Sequence, residues 1–161
     1  MAHPEIIIEN GTGVAGANSY ITAAEWNDWT DARGIAHSHS TEQIEHYIFR
    51  AMDYFENLNF LGRKATDSQP LQWPRVEVII DTYSIDSDII PQQVKNAVYE
   101  LVKLESDGDS YLLPQSRQAV KEKIGDIEVT YKDSAGMRRS TPAVSNALRK
   151  ITEPVDMVSR A

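Results

Sequence analysis

Three glycines near the start of the chain, Gly11, Gly13 and Gly16 in ENGTGVAGANSY, have the G-x-G-x-x-G spacing of a dinucleotide-binding turn. That chemistry needs the third glycine at the opening of a helix, so that a pyrophosphate rests on free backbone N–H groups. It also needs an acidic residue after a second strand about 20 residues further on. Neither condition is met. The first helix signal is Thr22, well past Gly16, and beyond it come helix and then GIAHSHST where a parallel strand should stand. The glycines predict an ordinary turn.

Other residues with chemical potential are weaker. His37, His39 and His46 with Glu42 and Glu45 include metal-ligand types, but two of the histidines fall in a predicted loop and His46 lies beside an apolar stripe, so nothing fixes a coordination geometry. The acidic clusters DTYSIDSD and ESDGDS lack the alternating oxygen ligands, sixth glycine and twelfth glutamate of a calcium loop. Asp86, Asp88, Asp107 and Asp109 read instead as capping and turn residues. No G-x-S-x-G elbow is present, and the absence of cysteine excludes a thiol nucleophile, a disulfide framework and cysteine metal sites. The aromatics Trp26, Trp29, Tyr47, Tyr54, Phe55 and Phe60 invite base stacking, but they lie in an acidic segment where a stacking platform needs cations, which favours core packing or subunit contact. The sequence therefore points to a protein that is not an enzyme and uses no cofactor.

The elements behind these residues are legible from capping and periodicity. Thr22 with Glu25 forms a capping box and Gly34 a stop, predicting a first helix of about three turns. Ser40 with Gln43 opens a second, which carries Ile44, Tyr47, Ile48, Ala51, Met52, Phe55 and Leu58 on one face. A long surface connection anchored by Trp73 follows, then a short strand over 76–80. Pro91 starts a third helix with Val94, Ala97, Val98, Leu101 and Leu104 inward. Ile127, Val129 and Tyr131 alternate with polar residues after Gly125-Asp126, which predicts a β-hairpin, and Thr141-Pro142 begins a last short helix. The expected fold is mainly α: a small bundle of about four helices with a β-hairpin, an extended N-terminal arm (EIIIEN) and a C-terminal helix and tail. Residues 1–113 make the helical body and 114–161 its extension, within one structural domain.

Composition agrees with a folded domain: 161 residues, 41% hydrophobic and 25% charged. No secretory signal or membrane span is expected from MAHPEIIIEN or from any later stretch. Charge is uneven. Up to Leu113 there are 7 Lys and Arg against 18 Asp and Glu, a balance of −11; from Pro114 onward 9 against 6 gives +3, and together they make the net −8. An acidic body repels phosphate, so the expectation is weak nucleic-acid binding by the body and a basic tail free to meet an acidic partner.

The ordered run ENGTG, GANSYIT, DARG, FRAMDYFENLNFLGRK, QPLQWPR and IPQQVKNAVYELVKLE resembles a family encoded by tailed bacteriophages and prophages, whose members are labelled DnaT-like single-stranded-DNA-binding proteins. The resemblance spans Glu9 to about Tyr131, with the combination of GANSY, RAMDYF and LQWPR the most specific part. The same arrangement of elements also resembles the head-tail adaptor (connector) proteins of long-tailed phages, small helical subunits that form a ring, usually twelvefold, beneath the portal.

The adaptor resemblance implies a structural subunit in the virion neck, assembled in the host cytoplasm. Its partners would be copies of itself, the portal protein and a tail-terminator or tail-completion protein, with duplex DNA passing through its lumen unbound. An acidic lumen would let DNA slide. On that reading Ile6, Ile7 and Ile8 would add as an edge strand to a neighbour, Trp73, Pro74 and Arg75 would lie across the next subunit, and Arg138, Arg139, Leu148, Arg149, Lys150 and Ile151 would dock on the portal. The alternative that the family label implies is a replication accessory protein that binds single-stranded DNA.

Overall fold

A computed structural model describes residues 4–109, 121–124, 127–130 and 142–153. Four helices carry the architecture: α1 (Ala23–Asp31), α2 (Thr41–Phe55), α3 (Gln92–Ser106) and α4 (Pro142–Leu148). Both capping boxes form as the sequence predicts, with Thr22 and Glu25 closing α1 and Ser40 and Gln43 closing α2. Pro91 stands at the N-cap of α3 rather than inside its first turn. The helices bury Trp26 and Trp29 from α1, Ile44, Ile48, Ala51, Met52 and Phe55 from α2, and Val94, Ala97, Val98, Leu101 and Val102 from α3 in one continuous core. Val144 of α4 and Ile151 just after it join the same core, so the C-terminal segment packs on the body.

Among the described residues the paired strands are short and antiparallel. Strands β1 (Arg63–Lys64) and β2 (Arg75–Val76) pair across the long connection, β3 (Ile79–Ile80) and β4 (Tyr83–Ser84) form a tight hairpin, and β5 (Lys121–Ile124) pairs with β6 (Ile127–Thr130). The predicted hairpin is therefore present, with its Gly125-Asp126 turn outside the described residues. The strand expected over 76–80 is interrupted, because Glu77 adopts a left-handed φ of 60° and the chain changes partner there. Gly62 is what admits β2 at this point, since a Cβ on it would lie 2.2 Å from the Val76 carbonyl oxygen.

The connection over 56–75 is ordered by polar side chains that point inward. Arg75, mostly buried, donates to the carbonyls of Phe60, Leu61, Gly62 and Gln72. Gln69 donates to the carbonyls of Leu71 and Pro74 and accepts from the Thr66 N–H. The Tyr20 hydroxyl donates to Glu56 Oε1 at 2.7 Å and accepts from the Trp73 N–H at 3.0 Å, while Glu56 Oε2 accepts from the Gln72 N–H. Burial raises the pKa values of both Tyr20 and Glu56. Trp73, preceding a cis proline, is fully buried against Phe60 and holds the connection to the core from inside.

Candidate functional site

The glycine loop is a closed structure. Glu9 is 1% exposed, and its carboxylate accepts from the N–H groups of Gly11 at 2.8 Å, Gly13 at 2.9 Å and Val14 at 2.8 Å. Backbone donors arranged around a concavity are an anion site, and here the anion is part of the chain. Gly11, at φ 108°, is required because a Cβ would meet the Asp88 carbonyl oxygen at 2.0 Å. The arm before the loop lies along its own chain: Ile8 bridges Ser19 in parallel, and Asn18 binds the backbone of Ile7 and Glu5.

An open polar concavity lies elsewhere, where the end of α1, the first half of α3 and α4 meet. A groove of about 340 Å³ is lined by Trp29, Arg33, Gln93, Asn96, Glu100, Asn146, Ala147 and Lys150. Each side chain is placed by a local rule. Helix α1 ends at Ala32, and the next residue, Arg33, folds back to donate to the Trp29 carbonyl at 3.1 Å with its guanidinium 4.2 Å from the centre of the Trp29 ring. That ring stacks on Tyr99 of α3 at 5.6 Å, so guanidinium, indole and phenol form a layered pile. Burial pushes the Tyr99 hydroxyl up to about 12, so it stays protonated at neutral pH. The Trp29 Nε1–H is buried and meets no acceptor among the described residues. Lys150, just after α4, pairs with Asp81 of the β3–β4 turn.

The charges at this groove differ from the average of the chain. Arg33 and Lys150 line it together with Glu100, whose pKa is raised by burial and pulled back by Arg33 and Lys103, and Lys150 is paired with Asp81. Four carboxylates elsewhere are engaged within the fold. Glu9 is enclosed by its loop, Glu105 is buried against Arg50 at 3.0 Å, Glu56 holds the connection, and Glu25, its pKa lowered mainly by Lys95 and Thr22 against the opposing effect of burial, pairs with Lys95 at 2.8 Å. The arrangement offers three amides (Gln93, Asn96 and Asn146) that can both donate and accept, two cations, and a guanidinium face backed by aromatic rings.

The structure does not gather the residues expected to mediate contacts. Ile6 and Ile8 are half-buried and Ile7 is 38% exposed, in the arm; Trp73, Pro74 and Arg75 are inside the connection. Ile151 is fully buried and Leu148 half-buried, Arg149 and Lys150 are exposed, and Arg138 and Arg139 lie outside the described residues. Of these, only Lys150 lines the groove. Sequence reasoning passed over Arg33, Gln93, Asn96 and Asn146. The available signal was on α3, where Gln93, Asn96, Glu100, Lys103 and Asp107 recur at three- and four-residue intervals opposite the apolar face. His37 and His39 stack on each other at 5.7 Å, and no group of three or more metal-ligating side chains stands together among the described residues.

A family model described as "Putative DnaT-like ssDNA binding protein" matches residues 4–160, almost the whole chain and through its last helix. No curated protein and no solved structure matches. The match corrects the expectation of a head-tail adaptor. A structural, portal-binding ring subunit of the virion neck is not what the matched family describes, and its portal and tail partners have no support. The physical error lay in treating net charge as the charge of every surface, when carboxylates such as Glu9 and Glu105 are internal and Arg33 and Lys150 line the α1–α3–α4 groove.

Proposed function

We propose that this chain, which belongs to the family described as DnaT-like ssDNA binding proteins, is a non-catalytic accessory protein that binds single-stranded DNA. The family match over residues 4–160 carries the reading. The α1–α3–α4 groove supplies a physical means. Single strands are held by cations that track the backbone and by flat faces on which bases stack. Arg33 offers both, a charge and a planar guanidinium already supported by Trp29, and Lys150 adds a second charge across the groove. Gln93, Asn96 and Asn146 can meet base edges from either the donor or the acceptor side. Arg149, exposed and adjacent to Lys150 in the chain, is a third cation.

The test is a salt titration of fluorescent oligothymidylate binding. Three phosphate contacts, from Arg33, Arg149 and Lys150, predict a log–log slope of about −2, at about −0.7 for each phosphate neutralised on a single strand. Duplex DNA of the same sequence should bind more weakly, because paired bases cannot reach the guanidinium face. Failure to bind oligothymidylate at low salt would overturn the reading.

A further inference from the structure

A second cavity lies at the other end of α3, and the function proposed above does not use it. Its volume is about 180 Å³ and its walls include Trp26, His37, His39, Lys103, Ser106 and Asp107. That exceeds the ~150 Å³ of a cavity able to admit a benzene ring. Three of its walls are flat rings in series: Trp26 lies 4.7 Å from His37, and His37 is nearly parallel to His39 at 5.7 Å. Tyr47 of α2 closes the series by an edge contact on His39 at 5.2 Å. The His37 Nδ1 atom is buried and meets no hydrogen-bond partner among the described residues. Lys103, paired with Asp107, and the Ser106 hydroxyl, which donates to the Lys103 carbonyl, supply the polar wall.

A ring-lined space with a lysine ammonium and a hydroxyl at its wall fits a planar heteroaromatic group that can hydrogen-bond at its edge. A bare phosphate would leave the rings unused. The two cavities share α3. Gln93, Asn96 and Glu100 line the first and Lys103 and Asp107 the second, all on one stripe of the helix. From 93 to 107 the stripe runs about 21 Å at about 1.5 Å per residue, the length of about six nucleotides at the stacked spacing of about 3.4 Å.

We propose that the His37–His39 cavity is a nucleobase subsite that receives a base of the same strand whose backbone lies in the α1–α3–α4 groove. The inference rests on the single-stranded-DNA reading and adds to it a footprint and a second anchoring point. Bases stack on histidine as on other aromatic rings. Lys103 stands where the backbone between the two anchors would pass.

The experiment uses the full chain and oligothymidylates of about 4 to 16 residues, the range of single-strand site sizes. Affinity should rise with length until both cavities are filled. In the shortest oligonucleotide that binds fully, a single abasic residue at the position reaching the cavity should weaken binding about tenfold, the scale of one lost base–aromatic stack. His39→Ala should weaken the intact oligonucleotide by a similar factor and make the abasic position silent, while His39→Phe, which keeps a flat ring, should retain most of the affinity. Circular dichroism checks that both variants fold, and the abasic scan on the unaltered protein needs no variant at all. Oligonucleotide binding that is insensitive to every abasic position and to His39→Ala would overturn the subsite and leave the functional reading standing. Absence of any binding would overturn both.

Discussion

The glycine loop and the α1–α3–α4 groove both concentrate polar groups, and they differ in where those groups find their partners. In the loop, three backbone donors converge on Glu9, a carboxylate of the same chain that is 1% exposed. In the groove, Arg33 lies across an aromatic ring, three amides line the wall, and a volume of about 340 Å³ remains open. The loop carries the sequence motif of a ligand site and has no capacity left for a ligand. The groove carries no motif and keeps its capacity. Exposed amides and a guanidinium beside open volume mark the better candidate.

The strongest way to break that contrast is to remove the internal anion. Glu9→Ala strips the acceptor from three N–H groups in a closed loop, at about 1–3 kcal/mol for each buried donor left unmet. A loss of about 3 kcal/mol or more in urea denaturation is expected, with oligonucleotide affinity unchanged for the folded fraction. Wild-type stability in this variant would mean that the loop is not held by Glu9. Tyr20→Phe tests the hydrogen-bonded connection. It removes the donor to Glu56 and the acceptor of the Trp73 N–H, and should cost about 1–3 kcal/mol by the same measurement.

The same contrast explains what could be read from the sequence. Both capping boxes, the inward face of α2 and the β5–β6 hairpin follow local rules that act within a few residues, and each stands where Thr22, Ser40 and the alternation around Val129 place it. Rejecting the nucleotide site at Gly11, Gly13 and Gly16 was also legible, since no helix opens at Gly16. What occupies the loop was not, because only the folded backbone turns Glu9 back onto the N–H groups that follow it. The groove depends on α1, α3 and α4 meeting, which brings Arg33 and Lys150 together across 117 positions of sequence, and no local pattern encodes that. The overall balance of −8 pointed away from nucleic acid for a related reason: a sum over the chain cannot show that Glu9 and Glu105 are inside it.

On the groove side, Arg33→Ala is the sharpest substitution. Losing one charged contact should weaken oligonucleotide binding about tenfold at low salt and reduce the magnitude of the salt slope by about 0.7. Stability should change by about 1 kcal/mol or less, the size of an exposed cation–π contact. An unaltered salt slope would remove Arg33 from the phosphate contacts and with it the groove as the binding surface.

The smallest expected effect comes from the carboxylate that shares the groove. Burial holds the Glu100 pKa above its ordinary value, with Arg33 and Lys103 opposing. At neutral pH its charge still faces any incoming phosphate, so Glu100→Gln should tighten oligonucleotide binding by about two- to fivefold, the range of a partly exposed charge interaction. The pH dependence has a definite sign. As pH falls from neutrality through the raised pKa, Glu100 takes up a proton, the groove becomes more positive, and wild-type binding should strengthen; the Gln variant should lack that component. Stability moves in the same sense. A carboxyl whose folded pKa exceeds its unfolded value contributes stability that is complete below the unfolded pKa and is lost as pH rises through the folded one. Glu100→Gln should therefore flatten the pH profile of stability just above the ordinary carboxylate range. A variant that binds more weakly than wild type would instead make Glu100 a contact for a base edge, and would move the phosphate path away from the centre of α3.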